Sequence, residues 1–305
     1  MGSNAKKIGI GILAIGILLL FYGVFVEPYL IDVEEEVAVI PGLAPAWEEQ
    51  RIAVTGDMQV GMWLANTSTV RRIVARLVEE QPATVLLLGD FVYHPVPDPD
   101  REVQKVIDML RPLVESRIPV YAVLGNHDYA APREQSAANE QVAQLVKTSL
   151  EAMGIKVLHN QAVPLEPPAS GTGESSQPDS GLYVVGIGAD YPDQARPDVA
   201  LSGVPGQEPR VVMMHNPDTF GRLPPSSAPL AVAGHTHGGQ IRIPFTPEWS
   251  WITFKSEDEV HADGWIDDYG APGNRLYVNR GIGFSVVPIR INAPPEITMF
   301  TLRSE

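Results

Sequence analysis

The chain has 305 residues, enough for one large or two small domains with a sizeable core, and its 44% hydrophobic and 19% charged make-up is that of a folded protein rather than a disordered one. It contains no cysteine. That excludes disulfides, thiolate metal sites and a cysteine nucleophile, and leaves His, Asp, Glu, Asn and Gln as metal ligands. A formal charge of −15 argues against a general nucleic-acid binder, which needs basic surface to displace phosphate counterions.

Ile8 to Val26 runs 19 residues without a charge. As a helix it measures about 28 Å, close to the ~30 Å hydrocarbon thickness of a bilayer. Lys6 and Lys7 precede it, and Glu27, Asp32 and Glu34 to Glu36 follow, so the positive-inside rule puts the N-terminus in the cytoplasm and the rest outside. The run is longer than the apolar region of a cleaved signal peptide, and no A-x-A site follows it. Phe21, Tyr22, Phe25 and Tyr29 are placed like an interfacial aromatic belt. The expected organisation is a membrane anchor over 1–30, a linker over 31–50 and one folded domain over 51–305.

Arg51 to Thr55 reads as a buried strand ending in Gly56 and Asp57. Val70, Ile73, Val74, Leu77 and Val78 then form one apolar face at helical period, with Thr67 and Ser68 as candidate caps. The unit repeats. Thr84 to Leu88 is a strand ending in Gly89 and Asp90; Val103, Val106, Ile107 and Leu110 mark a second amphipathic helix; Val120 to Leu124 is a third strand, ending in Gly125, Asn126, His127 and Asp128. This alternation implies a parallel sheet. A third helix is expected from about Arg133 to Met153, with Gly154 as its stop.

From Ile155 the texture changes to short strands: Leu182 to Ile187, Arg210 to Met214, Leu230 to Ala233, Leu276 to Val278 and Ile297 to Leu302. A second sheet packed on the first, with helices outside, is the economical arrangement. The fold class expected is therefore α/β, with two packed mixed β-sheets flanked by helices. The Pro-, Gly- and Ser-rich stretch Pro164 to Gly181 reads as an exposed loop.

Polar residues gather where strands end: Asp57 and Gln59, Asp90, Asn126 to Asp128, His215, His235 and His237. The C-terminal edge of strands is where open α/β sheets place ligands. Carboxylate, amide and imidazole without thiolate suit Mn²⁺, Zn²⁺ or Fe²⁺, and one carboxylate can bridge two ions about 3.5 to 4 Å apart. Two such ions share a phosphate and activate a water, which is phosphoester chemistry.

In order and type, Asp57-Met58-Gln59, Gly89-Asp90, Gly125-Asn126-His127-Asp128, His215 and Gly234-His235-Thr236-His237 resemble the five blocks of the calcineurin-like metallophosphoesterases. The resemblance covers roughly Arg51 to the C-terminus. His215-Asn216-Pro217-Asp218 and Ala233 to Ile241 are similar to the membrane-associated branch of that family, which includes phosphodiesterases and UDP-2,3-diacylglucosamine hydrolases of lipid A synthesis.

The resemblance implies that Asp57, Gln59 and His237 hold a first divalent metal, that Asp90 bridges, and that Asn126, His215 and His235 hold a second. His127 would donate a hydrogen bond or proton to the phosphate or its leaving oxygen. Asp128 would either orient His127 or cap its own loop. Gln59 stands where most members carry histidine; its neutral amide oxygen is a weaker donor and favours a harder ion such as Mn²⁺.

His94, four residues beyond Asp90, and Trp63 are candidate substrate contacts. Met62, Trp63, Leu64, Trp249 and Trp251 form either core or a lipid-handling lip. His159 and His261 are read as structural. The expected activity is a membrane-anchored, two-metal phosphodiester or pyrophosphate hydrolase whose partners are the bilayer and a lipid or envelope phosphate ester. The alternatives are a phosphomonoesterase on soluble substrates and a non-catalytic metal-binding membrane protein.

Overall fold

Alternation of side chains along each strand decides which of three apolar layers a residue enters. In a computed structural model, residues 2–62, 64, 66–133, 136–167, 181–243, 250, 262–267 and 269–305 are described. The first sheet contains β1 (Asp32–Val39), β2 (Arg51–Thr55), β3 (Thr84–Leu87), β4 (Val120–Ala122), β5 (Lys156–Val157) and β12 (Glu296–Arg303), in the order β1-β12-β2-β3-β4-β5. The second contains β6 (Gln161–Pro164), β7 (Tyr183–Gly186), β8 (Arg210–Met213), β9 (Leu230–Ala233), β10 (Gly264–Ile266) and β11 (Leu276–Val278), in the order β10-β11-β9-β8-β7-β6.

Both sheets are mixed. β2 to β5 run parallel and β12 lies antiparallel to β2; β7, β8, β9 and β11 run parallel, with β6 and β10 antiparallel at the two edges. Ile52, Val54, Leu86 and Tyr121 on one sheet face Val211, Met213, Leu230 and Val232 on the other, closing the inter-sheet core. The intervening Ala53, Val85, Leu87 and Ala122 face the opposite way, onto α2 (Thr67–Glu80), α3 (Pro99–Glu115) and α4 (Glu140–Ala152). Val185, Val212, Ala231 and Leu276 cover the outer face of the second sheet with α5 (Pro197–Ser202).

Four details depart from the sequence reading. The stretch 31–50, expected as a linker, carries β1, which pairs in parallel with β12. An edge strand tolerates charge: Asp32 and Glu34 pair with Arg280, and Glu36 accepts a hydrogen bond from the Trp265 indole. Ile297 to Leu302, grouped by sequence with the second sheet, instead completes the first beside β2. The third helix starts only at Glu140, because the Asn139 side chain caps it by accepting from the Val142 amide. The residue before α2 is Asn66, and no side chain among the described residues caps that helix; the Thr69 hydroxyl donates to the Pro28 carbonyl. Most of the expected loop 164–181, together with Trp63, Trp249, Trp251 and His261, lies outside the described residues.

The N-terminal helix α1 (Gly2–Phe25) is long and apolar enough to cross a membrane. Ile8 through Leu20 expose their large side chains, so it is not a core helix, and the chain meets the domain only from Gly23 onward.

Leu86 is fully buried between the sheets. Leu86→Ala should destabilise the fold by about 2–5 kcal/mol through lost transfer energy and a cavity, read as a lower denaturant midpoint.

Candidate metal centre

β2, β3 and β4 are adjacent and parallel, with Thr55 level with Leu87 and Leu87 with Ala122, so their following loops leave the sheet at one rim. β8 and β9 end at the same rim from the second sheet. The loops are stitched together: the Asp57 amide donates to the Gly89 carbonyl, the Gln59 amide to the Asp90 carbonyl, and the Gly234 amide to the His215 carbonyl. Asp57, Gln59, Asp90, His235 and His237 all take positive φ, between 49° and 72°. Each such residue costs roughly 1 kcal/mol, and non-glycine residues in this region gather at functional sites. Gly125 is required by crowding, since a Cβ there would strike the Asp90 carboxylate and the His215 ring.

Four atoms converge on one point. His215 Nε2 lies 3.1 Å from Asn126 Oδ1, 3.3 Å from Asp90 Oδ2 and 3.2 Å from His235 Nδ1. Each ring is aimed from behind. His215 Nδ1 donates to the Leu88 carbonyl at 2.8 Å, the Asn126 amide nitrogen donates to the Ala131 carbonyl, and His235 Nε2 sits 2.9 Å from the Tyr191 hydroxyl. A single proton on His215 Nε2 serves one of these acceptors, whereas a cation among them serves all.

Beside this cluster, Gln59 Nε2 donates to Asp90 Oδ2 at 2.7 Å, and the Asp57 carboxylate accepts the His235 amide at 3.0 Å and stands 3.8 Å from His237 Nε2. Gln59 Oε1 and His237 Nδ1 are buried without a hydrogen-bond partner among the described residues. Buried polar atoms are normally satisfied. Two orphaned acceptors in a nitrogen and oxygen donor set fit a divalent cation.

The His127 amide donates to Asp90 Oδ1 at 2.8 Å, which seats its ring at the rim. Nδ1 lies 2.5 Å from the Tyr93 carbonyl, and the Tyr93 ring stacks on the imidazole at 5.0 Å. His94, exposed on the same loop, has its ring centroid 5.8 Å from that of His127. Asp128 makes the loop-capping set of bonds: its carboxylate accepts the Phe91, Val92 and Gly125 amides, while His127 is oriented by Tyr93. His159 lies apart from the cluster, 3.5 Å from the Tyr129 hydroxyl. Of the suggested lip, Met62 is buried and Leu64 is exposed.

The charges are strongly coupled. Burial pushes the Asp57 carboxyl up, with His215 opposing. Burial acts the same way on Asp90, but His215 and His127 outweigh it and hold that carboxyl below its ordinary range. His215 is raised to about 9, because Asp90 overcomes its own desolvation. Burial and neighbouring His215 press His235 down to about 3, and burial with Arg290 lowers His237. One ring is thus a cation and two are neutral donors.

The sequence profile of the calcineurin-like phosphoesterases matches residues 50–239, a span containing every residue of this cluster from Asp57 to His237. The chain is 31% identical over 235 residues to phosphodiesterase YaeI of Escherichia coli, covering 77% of this chain and 76% of that protein. The chain belongs to the calcineurin-like phosphoesterase family. It is also 26% identical to the UDP-2,3-diacylglucosamine pyrophosphatase LpxG of Chlamydia trachomatis, over 75% of this chain and 77% of the relative. It is 26% identical to the metallophosphoesterase YkuE of Bacillus subtilis, over 93% and 89%. As a calcineurin-like phosphoesterase it is a metal-dependent phosphoester hydrolase.

Tyr93 and Tyr191 escaped the sequence reading. Both follow apolar strands, as the predicted ligands do, but a tyrosine there carries no metal-ligand signature, and Tyr93 orients His127 through its backbone carbonyl. Arg290, fully buried behind Asp57 and His237, also went unseen because its neighbours come from distant segments.

A cation entering the four-atom cluster must displace the proton on His215. Below about pH 9 the metal-free ring is protonated, so Mn²⁺ affinity should rise with pH and level off above it, by up to about tenfold per unit for each proton released. Mn²⁺ titrations between pH 6 and pH 9.5, with proton release followed calorimetrically, check this; a flat profile contradicts it.

Proposed function

We propose that the protein hydrolyses a phosphodiester or pyrophosphate bond in a lipid or cell-envelope component, using two divalent cations at a membrane surface. The observation that carries this reading is the position of Asp90. Its Oδ2 is 2.7 Å from Gln59 Nε2 and 3.3 Å from His215 Nε2, so one carboxylate oxygen adjoins both groups of ligands. Asp57, Gln59, Asp90 and His237 would hold one ion; Asp90, Asn126, His215 and His235 the other. The donors suit Mn²⁺, Zn²⁺ or Fe²⁺. Bound there, the pair would lower the pKa of a water caught between them and neutralise charge on the phosphate.

The chain's own residues supply the rest. With Nδ1 committed to the Tyr93 carbonyl, His127 presents Nε2 to the substrate and can pass a proton to the departing oxygen. His94 adds a second imidazole at the mouth, on the His127 side. Tyr191 keeps a proton on His235 Nε2, so that Nδ1 offers its lone pair inward.

A lipid substrate is favoured by the surroundings of the rim. The Val286 amide donates to the Tyr93 hydroxyl, which places the exposed Val286 side chain one residue from His127. The same segment, through Phe284 and Pro288, borders a small cavity with Val24, Phe25 and the exposed Leu64. Apolar side chains from these segments therefore lie between the end of α1 and the site. On this reading residues 1–30 anchor the protein and the remainder forms one catalytic domain. With Lys6 and Lys7 inside, that domain is extracytoplasmic and meets envelope lipids rather than cytoplasmic nucleotide-linked precursors.

His127→Ala in the Mn²⁺-loaded full chain should lower kcat on an aryl phosphodiester by about 10²- to 10⁴-fold while metal content stays at the wild-type level. Undiminished turnover would refute the assignment. A lipid phosphodiester in mixed micelles should exceed its short-chain, water-soluble analogue in kcat/KM, and equal values would remove the lipid reading.

A further inference from the structure

The end of α1 does more than tether. The Arg290 amide donates to the Gly23 carbonyl at 2.9 Å. Gly23 packs so closely that a Cβ there would lie 2.8 Å from Ile291 Cγ1 and 2.9 Å from the Arg290 carbonyl. Four residues on, Glu27 is 2% exposed, and its Oε1 accepts the Ala293 amide at 2.5 Å. The Pro28 and Tyr29 carbonyls accept from the side chains of Thr69 and Arg72 on α2. Segment 289–293 is thus gripped from both sides by the last turn of the anchor and the 3-10 turn that follows it.

From that segment the fully buried Arg290 side chain reaches back to the metal centre. Nε donates to the Gly283 carbonyl at 2.9 Å, Nη2 to the Arg280 carbonyl at 2.9 Å, and Nη1 to the Ala293 carbonyl at 2.7 Å and the His237 carbonyl at 3.5 Å. The loop it ties down lies directly against the ligands. The Ile282 amide donates to the Gly56 carbonyl and the Gly283 amide to the Asp57 carbonyl, at 3.0 and 2.7 Å. The guanidinium also counters Asp57 electrostatically. It neither faces the rim nor touches the cluster around His215.

We infer that Glu27 and Arg290 are positioning residues through which the docked end of the membrane helix holds Asp57, Gln59 and His237 in metal-binding geometry, so that the first metal position depends on the anchor junction and the second does not. This rests on the two-metal reading above. The physical reason is local. Asp57, Gln59 and His237 take positive φ and lean on the backbone that Arg290 ties down, through the Gly283 amide on the Asp57 carbonyl, the packing of Gly283 against Gln59 and the Arg290 bond to the His237 carbonyl, whereas Asn126 and His215 are not in positive φ and His235, which is, has its ring backed by Tyr191.

The test is Mn²⁺ titration of the full chain in detergent, followed by electron paramagnetic resonance, with thermal melts by circular dichroism alongside. Wild type should bind two equivalents. Glu27→Ala and Arg290→Met should retain one at the wild-type constant and bind the other about 10- to 100-fold more weakly, the usual effect of losing an outer support. Glu27→Gln, which keeps an acceptor oxygen for Ala293, should restore most of that affinity, and Ile15→Ala, on the lipid-exposed face of α1, should change neither constant. Two unchanged constants in the folded variants would overturn the inference, and so would equal weakening of both ions in step with a lowered melting temperature. Wild type that binds no Mn²⁺ would instead overturn the two-metal reading, and this inference with it. If Arg290→Met does not fold, the Glu27 pair decides.

Discussion

Two carboxylates from neighbouring parallel strands, Asp57 and Asp90, are withdrawn from water at the rim between the sheets, 0% and 1% exposed. The rest of the site answers that constraint. Burying a charge is costly unless it is paired and hydrogen-bonded, and the chain meets the cost with a protonated His215, backbone amides from His127 and His235, and the Arg290 guanidinium. Removing the solvent also makes each carboxylate a stronger attractor for a multivalent cation. The features that make the metal-free site electrostatically tense therefore prepare it to accept metal.

The sandwich makes the tension tolerable. Five of the candidate ligands, in left-handed backbone, would relax if their loops were free, but the loops continue the sheet's hydrogen bonding past the strand ends and are clamped above the inter-sheet core. Asp128 illustrates the division of labour. Its carboxylate accepts the Phe91, Val92 and Gly125 amides and so fixes the Asp90 loop against the His127 loop. Burial drives its carboxyl upward, aided by Asp90, and the Gly125 and Val92 amides oppose the shift.

Much of this was legible because the chemistry recurs at one structural position. Apolar runs that end in Asp, Asn or His mark strands and candidate ligands together, and Asp57, Asp90, Asn126, His215, His235 and His237 lie on the same rim. What escaped was long-range. β1 looked like a linker because its glutamates obey edge-strand rules and find partners as far away as Arg280. The placement of β12 depends on pairing with β1 and β2, more than 240 residues earlier in the chain. Tyr93 acts through a backbone carbonyl, which no side-chain pattern reports.

The anchor and the centre are best understood together. On the proposed membrane reading, an acidic body beside an anionic bilayer is pushed away, and a flexible tether would let the rim drift from its substrate. A junction locked by Gly23, Glu27 and two side chains of α2 removes that freedom: it fixes the distance and tilt of the rim relative to α1. The same junction continues through Arg290 into the loops that carry Asp57 and His237. On the proposed reading, orientation at the membrane and geometry at the first metal position are set by one set of bonds, so that a domain pulled out of register with the bilayer would also be one less able to hold its ion.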